Sequence, residues 1–397
     1  MPRCWTDRCD MENFVLENPT KIIFGQRTIP QLGREARAFG RKALLVYGQG
    51  SIRQNGIYQQ VTDSLQDEGL TVIEHGGVKS NPLLSHARRG IELAKENGVE
   101  LIIAVGGGSV IDSAKAIAAG AVVEHDVWKF FIGKKGVTSP LPLCCVLTLA
   151  ASGSEMNGGM VITNDDRQLK IGVGNKKLCP RVSILDPMAT FSVPPNYTAY
   201  GAVDAIAHIL EFYFTCRGDN TRVQDRFMEG LLINLMESCE AALADPCNYP
   251  ARGNLMWCAT MALNGWTSAG LGLVGFPMHM IEHSMSAMYD VPHGAGLATV
   301  IPAWMRWRAA QHPAKFAQFA NRVFDVGKGG GQTAAGEGIK KLQAWFERIQ
   351  VPTYLRSLGI PQTAIPALVE NCQTQARIWR LREYSPANIK EILELMI

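Results

Sequence analysis

Short apolar runs alternate with segments of helical periodicity in the first half of the chain. The apolar runs are residues 42–47, 70–76, 100–106 and 143–148. The helical patterns between them cover about 55–68, 83–97 and 109–123. Apolar runs of this length are typical of strands buried on both faces, and their alternation with helices indicates βαβ units. The pattern therefore predicts a parallel sheet with helices on its faces.

The rest of the chain predicts two β-hairpins and then a series of helices. The hairpins cover residues 14–25 and 160–174, each with turn-forming residues at its centre. The helical segments are about 198–214, 222–244, 250–269, 277–289, 293–310, 312–323, 332–348 and 387–395. We therefore predict an α/β domain at residues 11–192, with a dinucleotide-binding, Rossmann-like sheet, and an all-α domain at residues 193–397. Residues 1–10 fit neither pattern and are predicted to be an N-terminal extension.

The composition excludes several classes of protein. Hydrophobic residues make up 47% of the 397 residues and charged residues 19%, so the chain is too apolar for a disordered protein. The 39 basic and 36 acidic residues leave a net charge of +3, which is too small for a dedicated nucleic-acid binder. No apolar run reaches the roughly 20 residues of a membrane span. Ten scattered cysteines without a CxxC pair suit a reducing compartment, so we expect a cytoplasmic protein.

A glycine triplet that ends one predicted strand is the first candidate binding site. Its last two glycines, Gly107 and Gly108, precede a helix predicted to begin at Ser109. Asp112 stands three residues after Ser109, as in a capping box, and Val110 belongs to the buried helix face. Glycines let the backbone approach a ligand, and a helix N-terminus favours an anion such as pyrophosphate. The alternative is a turn that only links strand and helix, because the GxGxxG fingerprint is missing.

A second glycine turn, with Gly48, Gly50 and Ser51, follows the first predicted parallel strand. An adenosine ribose would lie here if a dinucleotide crossed the carboxyl ends of the strands. NAD-selective sites often have an acidic side chain at this place. The sequence has Gly48 instead, with Ser51 and Arg53 as possible phosphate donors. The turn therefore favours NADP over NAD, unless it is an ordinary glycine turn.

The second half carries residues that could bind a metal ion. Asp204 and His208 are four residues apart, so on a helix they project from the same face. His279 and His283 have the same spacing, and His293 follows shortly after them. One carboxylate and three imidazoles suit Fe²⁺ or Zn²⁺ and leave a coordination position open. Taken singly, each of these residues is more often structural, but together on an apolar background they favour a metal site.

Five sequence motifs resemble those of one enzyme family. They are NPTKIIFG at 18–25, GGGSVIDSAK at 106–115, SGSEMN at 152–157, GAVDAIAH at 201–208 and HMIEHSMSAMYDVPHG at 279–294. With these motifs the chain resembles the iron-containing, or group III, alcohol dehydrogenases, most closely their NADPH-dependent butanol dehydrogenase and aldehyde reductase branch. The resemblance implies hydride transfer between NADP(H) and a small primary alcohol or aldehyde at a divalent metal. It also implies a homodimer.

The resemblance assigns roles to individual residues. The implied metal ligands are Asp204, His208, His279 and His293. The implied cofactor-binding residues are Asn81, Gly108 to Asp112, Thr148, Ser152, Asn157 and Lys170. Lys170 would also act in catalysis by orienting the cofactor, and His283 would transfer a proton without binding the metal. Asn157 stands where relatives often have threonine, which leaves the details of nicotinamide contact open.

Two other classes of function use the same residues differently. A metal-dependent hydrolase or lyase could activate water with the Asp/His set, although no basic residues for a substrate phosphate stand beside it in the sequence. A non-catalytic nucleotide-binding protein would leave these residues without a purpose. Trp257, Phe276 and Met278 are candidates for a substrate pocket, but core packing is the favoured interpretation for each of them. The choice between iron and zinc and the identity of the aldehyde stay open.

Overall fold

Strands and helices alternate up to residue 185, and helices follow. The computed structural model describes residues 11–216, 221–327 and 331–397, so the predicted extension at residues 1–10 lies outside the described residues. The strands are β1 (Lys21–Phe24), β2 (Lys42–Tyr47), β3 (Thr71–His75), β4 (Leu101–Gly106), β5 (Leu143–Leu147), β6 (Gly159–Asn164), β7 (Leu169–Gly174) and β8 (Val182–Leu185). The helices are α1 (Leu32–Ala36), α2 (Ser51–Gln54), α3 (Ile57–Asp67), α4 (Leu84–Glu96), α5 (Gly108–Gly120), α6 (Trp128–Phe131), α7 (Pro195–Thr215), α8 (Arg222–Ala244), α9 (Tyr249–Ala262), α10 (Pro277–Tyr289), α11 (His293–Ala309), α12 (Pro313–Val323), α13 (Gly331–Arg348), α14 (Ile365–Ile378) and α15 (Pro386–Glu394).

One parallel sheet has the strand order β1-β8-β5-β4-β2-β3. Its inner strands β2, β4 and β5 are buried along almost their whole length, as their apolar sequences require. Leu44 of β2 lies beside Ile102 of β4 in the register of the sheet. The chain order reverses between β2 and β4, so the turns that follow these two strands lie side by side at the carboxyl edge. The predicted α/β fold with a helical second half is confirmed.

The predicted strands are confirmed except at the N-terminal end. β2 to β5 match the four predicted parallel strands, and β6 and β7 form the predicted antiparallel hairpin. The predicted hairpin at residues 14–25 is wrong, because residues 14–20 form no strand and β1 pairs in parallel with β8. The side chain of Asn18, at the centre of the predicted turn, donates hydrogen bonds to the backbone oxygens of Met156 and Asn264. These two hydrogen bonds join residues far apart in sequence, so a local pattern cannot reveal them. They position the chain for β1 to pair with β8 at the edge of the sheet.

The predicted helices are present, most of them within three residues of their predicted bounds. The helix predicted at 250–269 ends earlier, at Ala262, and Gly265 then has the left-handed φ of 99° that favours glycine. α14 was not predicted, because Pro366 reads as an interruption although proline fits the first turn of a helix. No helix in the described part of the chain is long and apolar enough to cross a membrane. The predicted division at residue 192 stays a prediction.

A buried lysine ties α5 to the segment that precedes the β6–β7 hairpin. The Nζ of Lys115 donates to the backbone oxygens of Ser154 and Gly159 at 2.8 and 2.7 Å, and to the Ser154 hydroxyl at 2.8 Å. Burial lowers the pKa of Lys115, and the nearby Asp112 carboxylate opposes this shift. The buried Lys115 ammonium group, whose hydrogens are all donated to protein acceptors, therefore anchors the helix that starts at the glycine triplet.

We predict that Lys115→Met strongly destabilises the protein, because the acceptors of Lys115 would stay buried without a donor and Asp112 would lose its counter-charge. The free energy of unfolding should fall by about 3–5 kcal/mol in urea denaturation. Lys129→Met, on the exposed side of α6, is the control and should change it by less than about 0.5 kcal/mol. Equal stability of the two variants would contradict the structural role of Lys115.

Candidate active site

One cavity of about 860 Å³ connects the carboxyl edge of the sheet with the helices that carry the histidines. The predicted cofactor-binding residues in its lining are Gly48, Ser51, Gly107, Gly108, Ser109, Val110, Asp112, Thr148, Ser152, Asn157 and Lys170. The predicted metal and proton-transfer residues in its lining are Asp204, His208, His279, His283 and His293. Two predicted cofactor-binding residues, Gly50 and Asn81, are not part of this lining. The two groups of candidate residues, far apart in sequence, thus share a single cavity.

The first turn of α5 differs from the predicted capping box. The Ser109 hydroxyl donates to the backbone oxygen of Ser80 rather than capping the helix. Asp112 instead accepts hydrogen bonds from the Ser154 hydroxyl and the backbone N–H of Val161. The predicted capping box is therefore wrong, since no side chain caps α5. The first amide groups of the helix are left uncapped at the cavity wall, where an anion could accept from them.

Gly108 allows the turn after β4 to approach the turn after β5. A Cβ atom at Gly108 would lie 2.2 Å from the Ser152 hydroxyl oxygen and 3.2 Å from the Ser152 Cβ, so a larger residue would require the Ser152 side chain to shift. The Ser152 hydroxyl is buried and has no hydrogen-bond partner among the described residues. The wall therefore combines uncapped amides with a hydroxyl that is available to a polar ligand.

Arg53 does not occupy the position expected of a phosphate donor. Its guanidinium pairs with the Glu74 carboxylate, donates to the Tyr47 hydroxyl at 2.9 Å and lies 3.8 Å from the centre of the Tyr58 ring. The sequence pattern could not reveal this, because Glu74 lies on a neighbouring strand. Gly48 and Ser51 line the cavity, and among the described residues that line it in the turn after β2 none is acidic. The basic side chain of Arg53 is engaged elsewhere.

The side chain of Asn157 makes its hydrogen bonds within the protein. Its Nδ2 donates to the backbone oxygens of Ser152 and Gly153 at 3.2 and 2.8 Å, and its Oδ1 accepts from the backbone N–H of Gly159 at 2.8 Å. Asn157 thus fixes the turn that carries Ser152. A cofactor beside it would meet a side chain whose hydrogen-bonding groups are already used.

Asp204, His208, His279 and His293, here called the Asp204 group, converge on one point. From Asp204 Oδ1 the distances are 3.6 Å to His208 Nδ1, 3.8 Å to His279 Nε2 and 3.5 Å to His293 Nε2. Among the described residues, Asp204 Oδ1, His208 Nδ1 and His279 Nε2 are buried without a hydrogen-bond partner. Buried polar atoms that face one another in this way need a common partner, and one carboxylate with three imidazoles suits Fe²⁺ or Zn²⁺.

His208 lies at the edge of the Asp204 group. The facing atoms of Asp204, His279 and His293 all lie within 4.8 Å of one another, and His208 is not in that closest set. Its ring instead packs against His279 with a centroid distance of 4.5 Å. The four residues come from α7, α10 and the first residue of α11, so three helices must meet to form the group.

Two further carboxylates, which the sequence analysis missed, orient the imidazoles. Glu211 accepts from His279 Nδ1 at 3.1 Å and from the His279 backbone N–H at 2.9 Å, while Glu282 contacts His293 Nδ1. Each contact leaves Nε2 of that histidine facing Asp204, the arrangement by which proteins fix metal-binding imidazoles. The signal was present, because Glu211 stands three residues after His208 and Glu282 three residues after His279, on the same helix faces.

The electrostatics of the Asp204 group favour a positive charge at its centre. Burial raises the pKa of Asp204, but the imidazoles of His208 and His293 outweigh burial and hold that pKa below its usual range. Burial lowers the pKa of His279, but the Asp204 and Glu211 carboxylates outweigh it and raise the pKa to about 9. Burial lowers the pKa of His208 to about 3, so this imidazole is neutral at physiological pH.

His283 has its ring fixed by the hairpin and not by Asp204. Its Nδ1–H donates to the backbone oxygen of Lys170, at 3.2 Å. Its ring centroid lies 6.2 Å from that of His279 and 5.5 Å from that of His293. Burial and the Lys170 ammonium hold the pKa of His283 well below its usual value. His283 is therefore a neutral imidazole whose Nε2 is unprotonated, because Nδ1 carries the hydrogen.

Lys170 links the hairpin to the oriented imidazoles. Its Nζ lies 3.0 Å from Asn81 Oδ1, 3.6 Å from Glu282 Oε2 and 3.4 Å from His293 Nδ1. Asn81 in turn donates to the Asp290 carboxylate at 2.8 Å. Asn81, which the resemblance implies to bind the cofactor, is buried, and its side chain bonds to Lys170 and Asp290, so its cofactor role stays a prediction. α10 ends beside the loop that carries Asn81.

Two glycines allow α7 to lie close to its neighbours. A Cβ at Gly201 would lie 2.1 Å from the backbone oxygen of Ala150, and a Cβ at Gly294 would lie 2.1 Å from that of Tyr200. Gly201 thus brings α7 against the loop after β5, and Gly294 brings the start of α11 against α7. These close approaches explain why glycine stands beside the Asp/His residues in two of the sequence motifs.

Phe276 is the one of the three candidate pocket residues that lines the cavity. Its ring packs edge-on against His279, with a centroid distance of 5.5 Å. Trp257 lies elsewhere, partly exposed and edge-on to Phe24, and Met278 is fully buried in the core. Core packing therefore describes Met278, while Phe276 both packs against the hydrophobic core and lines the cavity.

The chain matches two family models over most of its length. Residues 19–187 match the model described as iron-containing alcohol dehydrogenase, and residues 198–397 match the C-terminal model of the Fe-containing alcohol dehydrogenase family. The probable NADH-dependent butanol dehydrogenase 1 of Bacillus subtilis is 41% identical over 97% of this chain and 99% of its own length. The NADPH-dependent aldehyde reductase YqhD of Escherichia coli is 38% identical over 91% of this chain and 93% of its own.

A solved structure agrees with these sequence matches. The NADH-dependent butanol dehydrogenase A of Thermotoga maritima superimposes with a TM-score of 0.94 at 44% identity, covering 98% of this chain and 99% of the other. The alternative of a hydrolase or lyase finds no support among these relatives. The chain therefore belongs to the iron-containing alcohol dehydrogenase family, as its motifs predicted, and is an oxidoreductase of a family that uses a divalent metal and a nicotinamide cofactor.

Proposed function

We propose that this protein reduces small apolar aldehydes, and oxidises the corresponding primary alcohols, with NADP(H) as the redox cofactor. The observation that carries the proposal is the single cavity that joins the glycine turns to the Asp204 group. A bound divalent ion supplies Lewis acidity to the substrate oxygen, and the nicotinamide supplies or accepts the hydride. One cavity therefore contains residues suited to bind the nicotinamide cofactor and residues suited to bind the metal ion.

The residues of the histidine end have distinct proposed tasks. Asp204, His208, His279 and His293 hold the metal ion, and Glu211 and Glu282 keep two of the imidazoles oriented. His283 takes a proton from the alcohol, or returns it in the opposite direction, at the unprotonated Nε2. The hydroxyls of Thr148 and Ser152 line the cavity between this end and the glycine turns, where they would position the nicotinamide.

The cavity wall beside the histidines favours an apolar substrate. Apolar residues of the described cavity lining include Leu263, Val274, Phe276, Trp379 and Leu381. Of these, Phe276 packs against His279 and Trp379 against His283. The whole lining has no arginine among the described residues and only two lysines, Lys79 and Lys170. Lys170 is already paired with Glu282 and Asn81, so it is a poor partner for a substrate phosphate or carboxylate. Butanal and similar aldehydes therefore fit better than sugar phosphates or hydroxy acids.

A lysine that the sequence analysis did not consider supports NADP(H) as the cofactor. The backbone N–H of Gly77 donates to the oxygen of Gly48 at 3.0 Å, so the loop that carries Lys79 runs beside the predicted ribose turn. Lys79 is exposed, lines the cavity and makes no hydrogen bond or ion pair with the described residues. A 2′-phosphate near Gly48 would find this ammonium group in place of Arg53. The relatives carry both NADH-dependent and NADPH-dependent names, so direct comparison of the two cofactors decides the matter.

The reaction is tested by incubating the protein with NADPH and butanal, with and without added Fe²⁺ or Zn²⁺, and following absorbance at about 340 nm. His279→Ala should lower kcat at least about 10³-fold, because several kcal/mol of Lewis-acid stabilisation are lost. NADPH binding, measured by fluorescence titration, should change less than about twofold, since His279 lies at the opposite end. His312→Ala, at an exposed histidine before α12, is the matched control. Full activity of His279→Ala after chelation would refute the metal role.

Glu211→Gln tests the orientation of His279. The substitution keeps the shape and removes the charge, so we expect metal affinity to fall about 10–100-fold. The affinity is measured by competition with a chromophoric chelator. Glu240→Gln, on the exposed face of α8, should leave it unchanged. Unchanged affinity in Glu211→Gln would mean that the carboxylate only supports packing.

Lys79→Gln tests the cofactor preference. Loss of a charge-assisted contact worth about 1.5–3 kcal/mol should raise the KM for NADPH at least about tenfold and leave the KM for NADH unchanged. Lys135→Gln, at another exposed lysine, serves as the control. An equal rise for both cofactors would instead assign Lys79 to the pyrophosphate, and no change for either would exclude it from the site.

A further inference from the structure

The end of α14 holds a tryptophan against the histidine end of the cavity. The backbone N–H of Trp379 donates to the oxygen of Gln375 at 2.9 Å, and that of Leu381 donates to the oxygen of Ala376 at 2.8 Å. Arg380 between them has a positive φ of 59°, as in the αL turns that end helices. The backbone around Trp379 is thus fixed by the helix terminus. The side chain does not depend on a free loop for its position.

Trp379 lies between the β6–β7 hairpin and α10. Its ring centroid is 5.1 Å from that of His283, with the planes at 72°, so the two rings meet edge to face. A Cβ at Gly172 of β7 would lie 3.8 Å from Trp379 Cζ2. On the same wall, Leu381 Cδ2 would lie 3.1 Å from a Cβ at Gly275, just before α10. Leu381 therefore occupies room that Gly275 leaves free, and the indole of Trp379 lies within ordinary van der Waals range of the hairpin at Gly172.

The partners of Trp379 restrict its movement. The ring of His283 is itself held by the hydrogen bond to Lys170, and the hairpin backbone borders the indole at Gly172. A change of the Trp379 rotamer would lose the contacts with the His283 ring and with the hairpin strand. The space that a substrate can use beside His283 is therefore set by the size of the residue at position 379.

We infer that Trp379 is a specificity-determining residue that restricts the substrate to unbranched aldehydes and alcohols and excludes branched and aromatic ones. The inference rests on the proposed function, because it assigns the reacting carbon to the histidine end of the cavity. A branch or ring next to the carbonyl would meet the indole edge and Phe276. A straight alkyl chain can extend along the apolar wall formed with Leu381.

The test compares butanal with 2-methylbutanal, which is branched next to the carbonyl, and with benzaldehyde, for wild type, Trp379→Phe and Trp379→Ala. Each methylene-sized difference in an apolar pocket alters kcat/KM about 10–200-fold, so we expect the benzaldehyde-to-butanal ratio to rise at least about tenfold in Trp379→Ala and less in Trp379→Phe. Trp257→Ala, at a partly exposed tryptophan outside the cavity lining, is the matched control and should keep the wild-type ratio. Benzamide and butanamide are two unreactive analogues. The affinity for benzamide relative to butanamide should rise in the same variants.

The outcomes separate this inference from the proposed function. If wild type oxidises no NADPH or NADH with any aldehyde, the proposed function fails. If wild type is active but both Trp379 variants keep its substrate ratio and its ratio of amide affinities, only the inference on Trp379 fails. Loss of butanal turnover in Trp379→Ala, together with a wild-type ratio in Trp379→Phe, also contradicts it, because Trp379 would then support His283 rather than select the substrate.

Discussion

The buried charge beside Asp204 is the constraint on which the rest of the site depends. Asp204, Glu211 and Glu282 are buried carboxylates, and Lys170 is the only ammonium that approaches them among the described residues. Burying carboxylates in excess of cationic groups costs several kcal/mol in a desolvated interior, and the raised pKa of His279 reflects the same excess of negative charge. A divalent ion would compensate this charge and would give the unpartnered atoms of Asp204, His208 and His279 a shared partner.

Close approach at three glycines brings the sheet turns and the Asp204 group to one cavity. Gly201 and Gly294 set how closely α7 approaches the loop after β5 and the start of α11, and Gly108 sets the approach of the two turns near Ser152. A displacement of about 1 Å can cost a reaction about 10²-fold, so these contacts matter as much as the ligands themselves. The sheet and the helices are therefore coupled by backbone contacts, and Lys115 holds the helix that carries the first of these glycines.

Local patterns predicted most of the fold and the candidate metal-binding residues, because periodicity and i,i+4 spacing are properties of a single helix or strand. They could not separate His283 from the ligands, since it has the same spacing from His279 that His208 has from Asp204. The difference arises from the Lys170 oxygen on β7, a contact between distant segments. The same limit explains the wrong hairpin at residues 14–25 and the missed strand β8. The family resemblance supplied the role of His283, which residue patterns alone left open.

The two ends of the cavity are built in different ways, and this difference determines how each can change. The glycine turns present mainly backbone groups, so most substitutions there act through close approach rather than through lost contacts. The histidine end presents side chains, and its apolar wall depends on single residues such as Trp379 and Phe276. Substitution of Trp379 alters the usable space without removing a ring contact of the Asp204 group, because its ring partner is His283, whereas Phe276 packs directly against His279. Substrate range can therefore vary among proteins that share the same metal and nucleotide machinery.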